Sequence, residues 1–135
     1  MKKLILFLTL FTIVSLASFS QIFDPVSWSF SYEKVSDGEY DMVFTAEIDP
    51  GSHLYGMEIP EGGPIATSFT FEENQDVELV GEPVAISEGE EVFDTAFEMD
   101  IIYFSDQAEF RQRVKSELAS FTVKGYVTFM ACDDE

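Results

Sequence analysis

The sequence predicts an all-β domain made of two antiparallel sheets packed face to face. Three observations point there. Apolar and polar residues alternate with a period of two through several segments of the 135-residue chain, which is the pattern of strands with one buried face. Turn-forming pairs such as Asp37-Gly38, Pro50-Gly51 and Gly63-Pro64 interrupt those segments at short intervals. No segment beyond the N-terminal apolar run sustains the period of a long amphipathic helix. Hydrophobic residues at 46% and aromatics at 15% supply enough apolar surface for one core. Short strands with regular turns and no long helix predict an immunoglobulin-like β-sandwich.

In chain order, Met1-Lys2-Lys3 is a positive start and Leu4 to Ala17 is an apolar run. Ser18-Phe19-Ser20 then offers small residues before Gln21. This order predicts a signal peptide over residues 1–20, cleaved before Gln21, and hence an exported protein. The run is shorter than the ~20 residues of a membrane-spanning helix. The remainder, 21–135, reads as one domain. Val26, Trp28, Phe30 and Tyr32 alternate with serines, and Tyr40, Met42, Phe44, Ala46 and Ile48 with polar residues, though Val43 breaks the polar face. Asp37-Gly38 joins these two strands as a hairpin.

His53 to Met57 reads as a third strand, and Pro60 to Pro64 as a rigid loop. Ser68 to Glu72 is a short strand. Val77 to Val80 and Val84 to Ile86 flank a turn at Gly81-Glu82-Pro83. Phe97, Met99, Ile101 and Tyr103 share one strand face. The segment from Asp106 to Leu118 fits both periods. Asp106 with Glu109 resembles a helix capping box, and Phe110, Val114 and Leu118 sit at helical spacing. The strand reading is preferred, with Gln112 interrupting its apolar face. A last strand runs from Phe121 to Cys132. The expected core is Trp28, Phe30, Phe44, Phe69, Val123, Val127 and Phe129.

Charge narrows function. Asp plus Glu number 26 against 7 Lys plus Arg, a net charge of −19. Such a surface repels phosphate backbones and anionic lipid, so no nucleic-acid partner is expected. One Cys and one His exclude a zinc site built on thiolate and imidazole ligands. No metal and no cofactor is expected. The cluster Glu88, Glu90, Glu91 and Asp94 reads as a solvated acidic loop. It lacks EF-hand spacing for calcium. Arg111, Arg113 and Lys115 alternate along one strand face and balance local acids. Gly62-Gly63-Pro64 lacks the lysine of a phosphate loop. His53, beside Leu54 and Tyr55, reads as a structural hydrogen-bonder.

Cys132 is the nucleophile that stands out. In an oxidising compartment a single thiol is a feature to explain. One reading is a small buried hydrophobe. The other is a partner-accessible thiol at a strand end, suited to disulfide exchange. Asp133, Asp134 and Glu135 oppose a further negative charge beside it.

Three segments carry a resemblance: Ser52-His53-Leu54-Tyr55 with Ile59-Pro60-Glu61-Gly62-Gly63-Pro64, then Thr67 to Phe71, then Gly125 to Asp133. Together they resemble the N-terminal periplasmic domain of DsbD-type thiol:disulfide interchange proteins, also described as cytochrome c biogenesis proteins. The resemblance extends from about Phe23 to Glu135. It implies an immunoglobulin-like fold and a periplasmic location. It also implies a relay of electrons from the parent protein's thioredoxin-like domain to periplasmic thiol–disulfide partners by transient mixed disulfides. Cys132 matches the first of the family's two cysteines, which makes it the expected catalytic residue. The chain stops three residues later. The second cysteine and the closing strand are expected beyond it, as are the parts that would tie the protein to the membrane. A non-catalytic immunoglobulin-like module with a buried cysteine is the other reading.

Overall fold

The computed structural model describes residues 22–133. The signal peptide and its cut before Gln21 therefore lie outside the described residues. Ten strands follow in chain order: β1 (Val26–Ser36), β2 (Glu39–Ile48), β3 (Ser52–Tyr55), β4 (Ser68–Phe71), β5 (Glu78–Ala85), β6 (Glu90–Asp94), β7 (Met99–Phe104), β8 (Gln107–Lys115), β9 (Gly125–Thr128) and β10 (Ala131–Asp133). Sheet A has the order β1-β2-β8-β5 and sheet B the order β10-β3-β7-β6, while β4 and β9 form a two-stranded ribbon. Every pairing is antiparallel. The fold is an immunoglobulin-like β-sandwich, as the alternation predicts.

The ambiguous segment is a strand. β8 pairs with β2 from Glu39↔Lys115 to Glu47↔Gln107 and buries Ala108, Phe110, Gln112 and Val114 on one face. Leu118, which the helical spacing would have placed with Phe110 and Val114, is exposed. Asp106 takes a positive φ of 61° in the turn before β8 instead of capping a helix. Gln112, 1% exposed, is accommodated because its amide donates to the carbonyls of Val80 (3.1 Å), Gly81 (3.3 Å) and Arg113 (2.8 Å). A buried amide satisfied in this way escapes most of its desolvation cost.

The opposite face of β8 is an ion-pair ladder. Arg111 bonds Glu33 and Glu109, each at 2.6 Å, Arg113 bonds both oxygens of Asp41, and Lys115 pairs with Glu39 at 3.0 Å. Val43, the apolar intruder on this polar face, lies opposite Arg111 in the ladder and is buried. A long cationic side chain readily lays its methylene stem over such a neighbour.

Several boundaries differ from expectation. Gly81-Glu82-Pro83 does not separate two strands. It is a bulge within β5, where the register with β8 shifts between Val80 and Val84 and Gly81 takes φ 70°. The acidic stretch read as a loop contributes β6, which pairs with β7 along its length from Glu90↔Tyr103 through Val92↔Ile101 to Asp94↔Met99. Phe97 lies in the turn before β7. The segment from Phe121 to Cys132 is not one strand. It breaks at Phe129-Met130, leaving β9 in the ribbon and β10 in sheet B.

The core is centred on Phe44, Ala46, Leu54, Phe104, Ala108 and Phe110, with Trp28, Phe69, Phe71 and Phe129 packed against it. Trp28 lies 6.0, 5.8 and 5.5 Å from the rings of Phe69, Phe110 and Phe129. Phe30 is a correction: it is 65% exposed. It sits on edge strand β1, touches the ring of Phe44 on one side at 5.7 Å, and is open on the other. Val123 and Val127 are half-buried, because the β4–β9 ribbon is too narrow to cover them fully.

Candidate functional site

The position of Cys132 follows from strand alternation. The Phe129-Met130 link is held on β3 by the bond from the Tyr55 N–H to the Met130 carbonyl, 3.1 Å. β10 then pairs with β3 as Ala131↔Leu54, Cys132↔His53 and Asp133↔Ser52. Leu54 is fully buried and Ala131 packs against the core. Successive side chains point to opposite faces. Cys132 therefore lies on the outward face of sheet B, half-exposed, as a free thiol on an edge strand. It is not among the buried core residues.

His53 shares that face. Its Nδ1 lies 3.0 Å from the Ser105 hydroxyl, and its ring rests on Tyr103 with centroids 4.2 Å apart. Tyr55, two residues along β3, shares it too. The Tyr55 hydroxyl donates to Asp94 at 3.2 Å and also interacts with the Cys132 thiol. Burial is the main reason that the Tyr55 phenol is pushed well above its ordinary range, and Cys132 and then Asp94 add to it. Tyr55 thus stays protonated and remains a donor.

Asp94 is fixed in turn. Its other oxygen accepts from the backbone N–H groups of Ala96 (2.8 Å) and Phe97 (3.1 Å), which shapes the β6–β7 turn. That turn sets the Phe97 ring edge-on to Tyr55 at 6.3 Å. Behind Tyr55, the loop from β3 to β4 is clamped down. Gly56 donates to the Ile102 carbonyl at 2.7 Å, and a Cβ there would lie 2.8 Å from that same oxygen. The Thr67 hydroxyl donates to the Tyr55 carbonyl at 2.6 Å.

The sequence points to Cys132 and gives His53 only as a structural hydrogen-bonder. The structure brings the two together and adds Tyr55, Asp94, Tyr103, Ser105 and Phe97. Tyr55 was within reach, since two residues along a strand is the same face. Asp94 was not, because only the sheet order brings β6 within reach of β3. Of the acidic stretch, Glu90 comes near the group through its place opposite Tyr103 on β7. Among the described residues no three His, Cys, Asp or Glu side chains converge as a metal site. An open cleft of about 900 Å³ lies beside the β1–β2 turn, lined by Lys34, Gly38, Gln75, Lys115 and Leu118 among others, and contains no member of the Cys132 group.

A β-sandwich with a free thiol on the outward face of an edge strand defines a class: an immunoglobulin-like domain carrying a surface cysteine. The profile of the family described as thiol:disulfide interchange protein DsbD, N-terminal, matches residues 21–135. The chain belongs to that family. Among solved structures, it is similar to the N-terminal periplasmic domain of ScsB from Proteus mirabilis, with a TM-score of 0.61 and 17% identity. The alignment covers 82% of this chain and 42% of that one, so the chain spans less than half of the solved domain. At that identity the likeness speaks for the fold. A search of curated proteins finds no match.

Proposed function

We propose that this chain is the exported N-terminal domain of a thiol:disulfide interchange protein, with Cys132 as its exchanging thiol. The single observation that carries the reading is the register of β10, which turns Cys132 away from the core. Family membership supplies the chemistry. The relay runs from a thioredoxin-like domain to periplasmic thiol–disulfide proteins, through transient mixed disulfides. Export rests on the N-terminal charged and apolar segments, with Gln21 as the first mature residue.

In each exchange a thiolate attacks one sulfur of a disulfide, a new S–S bond forms, and the other sulfur leaves. Completing the transfer needs a second thiol. The chain contains a single cysteine, so here that thiol comes from the partner or from additional polypeptide. The test incubates the folded 21–135 protein with an oxidised thioredoxin-like protein. A covalent one-to-one complex, absent with Cys132→Ser and dissolved by dithiothreitol, is expected. A thiol that reacts only after denaturation overturns the reading and leaves a non-catalytic immunoglobulin-like module.

A further inference from the structure

We propose that His53 is the proton partner of Cys132, taking the thiol proton as exchange begins and returning it to the sulfur that leaves. This rests on the reading of Cys132 as the exchanging thiol and adds a residue to the same site.

His53 and Cys132 are directly opposite across the β3–β10 ladder. Side chains so paired share a face, with Cβ atoms about 4.5–5.5 Å apart. The imidazole is also held in place. Ser105 engages Nδ1 at 3.0 Å, and Tyr103 supports the ring face at 4.2 Å. A ring anchored by a hydroxyl and an aromatic face, beside a thiol, is more than a strand-filling histidine requires.

Charge strengthens the case. The strands of sheet B contain no Lys or Arg. The titratable groups around His53 are Cys132 and Asp133 on β10, Tyr55 on its own strand, Tyr103 on β7, and Glu90 and Asp94 on β6. Three of these are carboxylic acids, which oppose a thiolate. Tyr55 donates a hydrogen bond but brings no positive charge. Protonated His53 is the one side chain on these strands able to supply it. Imidazole is also the side chain that changes charge between pH 5 and 8.

The step balances. Cys132 gives its proton to His53, leaving a thiolate and an imidazolium. The thiolate attacks the partner's disulfide, forming one S–S bond as another breaks. The departing sulfur takes the proton from His53 and leaves as a thiol. One disulfide replaces another, and no outside oxidant or reductant is needed.

The experiment measures the rate at which folded 21–135 protein forms a mixed disulfide with hydroxyethyl disulfide. This probe is uncharged and carries no titrating group of its own. Rates are followed by mass spectrometry from pH 5 to 10 for wild type, His53→Gln and Ser105→Ala. Wild type should show a rate shoulder between pH 5 and 8. His53→Gln should lose it and react about tenfold more slowly near neutral pH. The two should converge at alkaline pH, where hydroxide removes the proton. Ser105→Ala, with its ring less constrained, should fall between them. In parallel, the imidazole resonances of His53 should shift their titration midpoint when Cys132 is alkylated. Matching profiles for wild type and His53→Gln, or imidazole resonances indifferent to alkylation, overturn the proposal while Cys132 remains the exchanging thiol. A wild-type thiol that is inert while folded overturns both.

Discussion

Phe110 shows how one residue can carry the interior. It is fully buried at the centre of sheet A, with the rings of Phe69, Trp28 and Phe104 within 5.4 to 5.8 Å. Phe110→Ala should destabilise the domain by about 3–5 kcal/mol, read from urea denaturation. A loss below 1 kcal/mol would mean that the aromatic cluster collapses into the space. Tyr55 matters for its oxygen. Tyr55→Phe keeps the ring against Phe97 but strips Asp94 of a donor and Cys132 of a polar neighbour. We expect a cost of about 1 kcal/mol and slower disulfide formation at Cys132. Unchanged reactivity would show that the hydroxyl serves only the β6–β7 turn.

At the scale of elements, β8 links the interior to its own acid sensitivity. Arg113, through its hydrogen bonds and charge, holds the Asp41 carboxyl below the usual carboxylate range. A carboxyl lowered on folding stabilises the native state above its unfolded value, and that contribution disappears as pH falls through the folded value. The stability difference between wild type and Asp41→Asn should therefore be constant from pH 7 to about 4 and shrink below. A difference that grows under acid would contradict this assignment. β8 also shows what the sequence discloses. Alternation revealed its faces, and the cations at 111, 113 and 115 pair with acids as their spacing implied. Phe30 alternates just as cleanly yet is exposed. Period two reports which residues share a face but not whether another layer covers it. For the same reason Cys132 was legible as a strand-end thiol, whereas its placement opposite His53 was not. That pairing joins residues far apart in the chain and depends on the break at Phe129-Met130.

Across the whole molecule the charges are segregated. Lys34, Arg111, Arg113 and Lys115 all lie on sheet A, each paired with acid. Sheet B, with the thiol, has none. With a net charge of −19, Cys132 sits in a negative field that salt screens. Labelling by an anionic thiol reagent should therefore accelerate with added sodium chloride more than labelling by a neutral one. Equal acceleration would show that the field at the sulfur is weak.

The three-residue strand β10 has a consequence in parity. Whether the thiol faces outward is decided by whether it occupies an odd or an even place after the crossover, not by its chemistry. Exchanging neighbours, as in the double variant Ala131→Cys with Cys132→Ala, preserves composition, mass and charge. It moves the sulfur opposite Leu54, on the core side of the sheet. Such a protein should fold and yet show a thiol silent to reagents until it is unfolded. If the exchanged thiol stays reactive, β10 has slipped by one place, and the ladder with β3 is looser than its pairing implies.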